Sequence, residues 1–330
     1  MDSRALIDAL RWMRLARAVD ERAISLQRQG RLGTFSPVTG QEAAVVGSAL
    51  ALDPARDWVV PQYRELPAML RQGYPLAHFF LYLQGHPQGS AIPRDVRVLP
   101  MQIALAAQLP HAVGIAWGMR LQGENGVVMT YIGDGASSEG DFHETCNLAG
   151  VLRAPLVVVL QNNGWAISTP RSRQTAAETF ASRAVGYGCA GVVVDGNDVE
   201  ATREAAGEAV ARARDGGGPT ILEAVTYRTG PHTTADDPTR YVDPEVLAQW
   251  RERDPIEQAL ATLRGRRRAW SDERDAEMVA SITEQIDAAW ATAEATPRPT
   301  SDAMFDNVFV NEPARVTRQR EQAREAAAGV

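Results

Sequence analysis

Two apolar runs, residues 127–132 and 156–160, constrain the fold more than any other feature of the chain. Neither alternates with polar residues, so both read as strands buried on two faces, the habit of parallel sheets. Parallel neighbours need a crossover, and the segment between them supplies one as a helix running to about Gly150. Ser137 or Ser138 is placed to cap that helix, and Ala154-Pro155 resets the chain before the second strand. The first strand stops at Gly133-Asp134-Gly135, where two glycines permit a sharp turn and close approach to a ligand. The second stops at Gln161-Asn162-Asn163-Gly164. Two polar loops thus lie side by side at the carboxyl ends of parallel strands, where open α/β sheets bind ligands.

The flanking sequence extends the pattern. Ser3 can cap a helix to about Gln29 that stops at Gly30, and a small-residue helix runs to about Leu50, with Gly40 and Gly47 permitting close packing. A short strand at 58–60 leads into Pro61-Gln62-Tyr63-Arg64. Two short helices over 66–84 break near Gly73-Tyr74-Pro75, and 85–100 is a loop. An apolar lead-in over 103–109 precedes a helix at 110–121 that is rich in alanine and glycine. Strands at 191–194 and 220–225 enclose a helix at 199–214. The alternation predicts a doubly wound, mainly parallel sheet with helices on both faces. A polar loop over 226–243 carries one histidine, 244–294 is largely helical, and 300–330 reads as a short strand-like piece with a charged tail. We expect one unit over 1–300, made of amino-terminal helices (1–50), a core (51–243) and carboxyl-terminal helices (244–300), with a tail at 301–330.

The two loops carry hard oxygen donors: anionic in Asp134, neutral in Asn163, with a backbone carbonyl just beyond Asn163 as a third. Mg²⁺ takes one or two such protein oxygens and the rest from phosphate and water. Backbone N–H groups after Gly135, at a helix start, favour an anion. The expected ligand is a metal-bridged diphosphate. Neither a dinucleotide fingerprint nor a Walker loop is present to explain the site otherwise.

GDG, the 26 residues from Ala136 to Gln161, then Asn-Asn resemble the thiamine diphosphate motif. The flanks GDGASSEGDFHE, QNNGWAISTP and YRTGPHTTADDPTRY resemble the alpha subunit of the decarboxylating component of 2-oxo acid dehydrogenase complexes. The resemblance runs from Leu6 to about Val310. It implies a thiamine diphosphate-binding fold and an oxidoreductase that decarboxylates a 2-oxo acid and transfers the acyl group to a lipoyl group. It also implies the cofactors thiamine diphosphate and Mg²⁺, with Asp134, Asn163 and the Trp165 carbonyl as metal ligands. Gly135, Ala136, Tyr63 and Arg64 would hold the cofactor, Leu105 would keep it bent, and His232 would act beside its reactive ring. Phe35, Ser36 and Gln62 would meet the substrate. Gln62-Tyr63-Arg64 and Ser36 tilt the expectation towards branched-chain 2-oxo acids. Pyruvate is the alternative; acetoin dehydrogenase and a transketolase-like half enzyme are more distant, and GPHTTADDPTRY argues against the latter. A scaffold without catalysis would not need Asp134 and Asn163.

The resemblance implies partners as well. The carboxylate that activates the cofactor belongs to a second module in this family, and no room for one remains here. A beta subunit is expected to supply it, in a tetramer of two alpha and two beta chains, and the lipoyl domain of a dihydrolipoyl acyltransferase to take the product. Ile103-Ala104 replaces the Ser-Pro pair of relatives that bind a monovalent cation, which argues against such a cation. The loop serine phosphorylated in mitochondrial relatives corresponds to Thr233, and the second site falls near Asp243, so kinase control is not implied. A net charge of −7 argues against general nucleic-acid binding. No 18-residue apolar run or secretory signal is present, and Cys146 and Cys189 lack metal spacing, so a cytoplasmic protein away from the membrane is expected. The basic run from Arg264 to Arg268 reads as a solvated helix end, or else as a contact for an acidic partner region.

Overall fold

The computed structural model describes residues 1–266, 270–306 and 308–328. Its centre is a five-stranded, wholly parallel sheet in the order β1-β2-β3-β7-β6. The strands are β1 (Trp58–Val60), β2 (Val128–Gly133), β3 (Leu156–Asn162), β6 (Ala190–Asp195) and β7 (Thr220–Val225). A two-stranded hairpin, β4 (Trp165–Ala166) and β5 (Thr169–Pro170), stands apart from it. The register sets Gly133 of β2 against Gln161 of β3, so the GDG and Asn-Asn loops leave the sheet as neighbours.

Alternate strand residues feed two cores, as the two-residue period of a strand demands. Val59, Met129, Tyr131, Val157, Val159 and Leu222 face one side. There they meet α1 (Ser3–Arg28), α2 (Glu42–Ala49), α4 (Leu76–Leu83), α7 (Val199–Arg214) and α10 (Asp272–Ala295). Val60, Val128, Ile132, Val158 and Leu160 face the other, under α5 (Gln108–Leu121) and α6 (Gly140–Leu152). A third cluster joins Leu6, Leu10 and Met13 of α1 to Ile256, Leu260 and Leu263 of α9 (Pro255–Gly265). Short helices α3 (Leu66–Arg71) and α8 (Pro244–Glu252) complete the body. Close packing of α2 on α7 depends on Gly47: a Cβ there would stand 2.8 Å from Thr202 Cβ. Among the described residues no helix is long and apolar enough to cross a membrane.

Four details differ from expectation. The first helix is capped by Asp2, whose side chain accepts from the Ala5 amide, and not by Ser3. After β2 the chain makes a 3₁₀ turn, Gly135–Ser138, and the extended Glu139 separates it from α6. Ser137 caps nothing: its hydroxyl donates to the Asp134 carbonyl at 2.7 Å. Helix α5 begins at Gln108, ahead of Pro110. Among the described residues of the tail there is no strand; it holds a 3₁₀ turn at Ser301–Met304 and α11 (Ala314–Ala328). Of the basic run, Arg264 and Arg266 pair within the chain with Asp272 and Glu200, while Arg267 and Arg268 lie outside the described residues.

Candidate active site

Four adjacent strands each deliver a loop to one place. Gln62, Tyr63 and Arg64 follow β1; Asp134 and Gly135 follow β2; Asn163 and Trp165 follow β3; Arg228 and His232 follow β7. These loops wall a cavity of about 690 Å³. Every site residue expected from the sequence lines it: Phe35, Ser36, Gln62, Tyr63, Arg64, Leu105, Asp134, Gly135, Ala136, Asn163, Trp165 and His232. Leu105 sits at its open side, 41% exposed, next to Ala106 in the left-handed region at φ 62°.

One half of the cavity is acidic. Asp134 is wholly buried, and burial pushes its carboxyl up to about 6. Its Oδ2 accepts from Gln174 Nε2 at 3.0 Å, while its Oδ1 is buried with no partner. Asn163 donates through Nδ2 to Gln41 Oε1 at 3.1 Å, and its Oδ1 accepts from the Trp165 amide at 3.1 Å. Trp165 is steadied by its indole N–H, which donates to Tyr227. Gly135 has to be glycine, because a Cβ would sit 2.6 Å from that of Ala166. Among the described residues no three His, Cys, Asp or Glu side chains converge as a metal cluster. A cation here would therefore have one carboxylate and otherwise neutral oxygens, a set that suits Mg²⁺ bound largely by phosphate and water.

The other half is basic. Arg64 donates to the carbonyls of Pro37 and His232, the latter at 2.9 Å, and so ties two loops together. Burial lowers its pKa, and Arg228 lowers it further. Arg228, 2% exposed, donates to the Ile167 carbonyl at 2.6 Å and to Tyr241 at 2.7 Å. Its Nε and Nη1 are buried without partners. Ile167 is held at φ 55°, a strained value for a β-branched residue, with its carbonyl turned to Arg228. His232 is pulled down to about 4 by burial and by both arginines, against the opposing Asp236. Its imidazole is therefore neutral near pH 7. Tyr63 lies beside the Arg64 guanidinium, and burial raises its hydroxyl pKa.

Glu65, which also lines the cavity, is fully engaged. It accepts from the Gln62 amide at 2.9 Å, the Arg64 amide at 3.0 Å and Gln161 Nε2 at 2.5 Å. Burial raises its pKa. Its three hydrogen bonds fix the loop after β1 and tie it to β3.

The orphan atoms define what fits. A buried carboxylate oxygen needs a cation, and two buried guanidinium nitrogens need an anion. A magnesium diphosphate would satisfy both. The expected helix start after Gly135 is a 3₁₀ turn, Gly135–Ser138, with α6 beginning only at Gly140, and Arg64 and Arg228 add positive charge to the cavity. Sequence reasoning passed over Arg228, Gln41, Glu65, Gln161 and Gln174. Arg228 had a signal, as the first arginine beyond an apolar strand and four residues before His232. The glutamines had none, since each acts only through its tertiary partner.

The family profile described as dehydrogenase E1 component matches residues 10–302. Pyruvate dehydrogenase E1 component subunit alpha of Staphylococcus epidermidis is 41% identical over 317 residues, covering 96% of this chain and 85% of its own length. The protein of the same name from Staphylococcus aureus strain MRSA252 is 40% identical over the same shares.

Proposed function

The chain belongs to the dehydrogenase E1 component family, as an alpha subunit of the 2-oxo acid dehydrogenase type and an oxidoreductase; from that premise we propose that its substrate is pyruvate. The supporting observation is 41% identity to pyruvate enzymes along 96% of the chain. The branched-chain expectation rested on Ser36 and the Gln62–Arg64 segment alone, and a likeness over nearly the whole chain outweighs it. The membership implies thiamine diphosphate as cofactor; Mg²⁺ is our proposal from the donor set.

Asp134 Oδ1, Asn163 Oδ1 and the Trp165 carbonyl would hold the cation. Arg228, Arg64 and Tyr63 would hold the diphosphate, since a guanidinium matches phosphate oxygens and stays charged when buried. Gly135 and Ala136 let the ligand approach the backbone, and Leu105 supports its bend. When bound, thiamine diphosphate supplies the nucleophilic carbon and the electron sink for loss of carbon dioxide. His232, neutral near pH 7, offers a ring nitrogen that can take or give a proton beside the reacting carbons. Phe35, Ser36 and Gln62 contact the substrate in this reading. Residues 1–300 act as one unit, with 301–330 appended.

The cofactor-activating carboxylate comes from a beta subunit. Asp134 serves the cation and Glu65 is tied by three hydrogen bonds to Gln62, Arg64 and Gln161, so in this reading neither carboxylate on the cavity wall takes that task. The exposed Leu105 and Ile103 leave the mouth open to such a chain. The acyl product passes to a lipoyl domain of an acyltransferase. Steady-state kinetics of the assembled alpha–beta enzyme on pyruvate, 3-methyl-2-oxobutanoate and 4-methyl-2-oxopentanoate test the reading. The highest specificity constant is expected for pyruvate, and a preference for either branched acid would overturn it.

A further inference from the structure

We infer that Gln174 is a positioning residue of the cation site, selecting which oxygen of Asp134 meets the metal. The inference rests on the reading of Asp134 as a cation ligand. Gln174 is 40 residues beyond Asp134, on the segment that follows the β4–β5 hairpin. Its Nε2 donates to Asp134 Oδ2 at 3.0 Å and to the Thr169 carbonyl at 3.2 Å. Both amide protons are thus committed. Turning the amide over would set Oε1 against two acceptors, so the orientation is fixed by its partners. The segment is itself anchored. The Arg171 amide donates to the Gly164 carbonyl at 3.0 Å, the Arg171 side chain to the Ala177 carbonyl at 3.1 Å, and the Gln174 amide to the Arg171 carbonyl at 2.9 Å.

The consequence for Asp134 is chemical. A free carboxylate can bind a cation through either oxygen or both. Here Oδ2 is occupied by a neutral donor and Oδ1 is the buried oxygen left without a partner. The carboxylate is therefore offered through one oxygen in one direction, which suits the strict octahedral demand of Mg²⁺ better than the loose shell of Ca²⁺. Gln174 Oε1 is also buried without a partner, an acceptor on the same amide that meets Asp134. On Asn163 the Nδ2 donates to Gln41 Oε1, which fixes the orientation of that amide.

The test is calorimetric titration of Mg²⁺ and of Ca²⁺ into the alpha–beta assembly saturated with thiamine diphosphate, for wild type, Gln174→Met, Gln174→Ala and Asp134→Asn. Melting of the metal-free assembly is followed alongside. Removing a group that orients a metal ligand costs roughly 10- to 100-fold in metal affinity. Both Gln174 variants are expected to lose Mg²⁺ affinity in that range, to narrow the Mg²⁺-to-Ca²⁺ preference, and to melt as wild type does. A loosened fold would weaken both cations alike, so an unchanged preference would overturn the inference even if melting fell. Unchanged Mg²⁺ affinity in both Gln174 variants, with loss in Asp134→Asn, would sink the role of Gln174 and leave Asp134 as ligand. Unchanged affinity in Asp134→Asn would sink the ligand reading and this inference with it.

Discussion

The same sheet carries a buried carboxylate with an arginine at each end, Arg214 partly exposed at one and Arg228 buried at the other, and the two pairs behave differently. At the amino end, Asp57 precedes β1. Both its oxygens accept from Arg214 at 2.7 Å, and they also accept from the amides of Val127 and Asp53 at 2.8 Å each. At the carboxyl end, Asp134 keeps one oxygen empty and Arg228 keeps two nitrogens empty. The two do not neutralise each other directly. Closed buried pairs hold a structure together, whereas open ones wait for a ligand, because an unpartnered buried charge costs several kcal/mol until something meets it. At these two ends the closed pair acts as a brace, and the open groups line the cavity.

Four experiments press on that difference. Asp134→Ala is expected to abolish thiamine diphosphate binding, measured by calorimetry, while the metal-free assembly melts no lower than wild type. Asp57→Ala should do the reverse, leaving the buried Val127 amide without its acceptor and costing about 1–3 kcal/mol of stability in denaturant titrations, with cofactor affinity kept in the folded fraction. If both substitutions lower stability and spare binding, the distinction between the two ends collapses. The second experiment concerns the open end alone. The isolated chain should turn over no 2-oxo acid, and sedimentation with a beta subunit should give a tetramer of two alpha and two beta chains. Turnover by the single chain would mean that the activating carboxylate lies within it after all.

Removing one side of the open pair comes next in size. Arg228→Met deletes the unpartnered donors while keeping the bulk of the stem. Hydrogen bonds from a charged donor contribute about 1.5–3 kcal/mol, so cofactor affinity should fall roughly 10- to 100-fold. An unchanged dissociation constant would return Arg228 to the status of a loop anchor for Ile167 and Tyr241. Acidity probes the same end. The folded chain keeps the Asp134 proton up to about pH 6. A proton on that carboxyl excludes a cation, so cofactor affinity should weaken as pH falls through about 6. The metal-free fold moves the opposite way. Asp134, and Asp20 with its carboxyl raised by burial to about 7, hold protons that the unfolded chain releases. The metal-free chain should therefore gain stability as pH falls from about 7 towards the ordinary carboxylate range. Affinity that is flat between pH 7 and 5 would remove Asp134 from the cation site.

Legibility in the sequence followed the range of the interactions. The strand at 58–60 and the helix at 199–214 lie where their local patterns put them, since apolar runs and an Asp198 cap act within a few residues. Nine of the twelve expected cavity residues follow strand ends, which is where a parallel α/β pattern sends them, while Phe35 and Ser36 come from the α1–α2 connection and Leu105 from the segment ahead of α5. Legibility failed where a serine had competing partners. Ser137 bonds back to Asp134 and so leaves the cap unused, a choice between two local bonds that composition does not decide. It failed again for Gln41, Glu65 and Gln174, whose partners are distant in sequence. The tail misled because 304–310 reads MFDNVFV, with apolar residues of strand type, yet the described residues among them pair with no strand.

The smallest expected effect concerns substrate choice, on the apolar part of the cavity wall. Phe35 and Phe79 meet edge to face there, with ring centroids 6.3 Å apart, and both line the cavity. A wall of two fixed rings favours a small acid by leaving no room, while a larger acid gains only through burial. That gain is about 0.8 kcal/mol per methylene, or about fourfold in a specificity constant. Phe35→Leu keeps the wall apolar and opens it by a few carbon atoms. It should shift the ratio of specificity constants, 3-methyl-2-oxobutanoate over pyruvate, upward by about fourfold, the worth of one methylene. Cofactor affinity should not move, because Phe35 contributes no polar group to either charged half. A ratio that stays fixed, or one that falls, would place the substrate's side chain elsewhere in the cavity and take Phe35 out of selection.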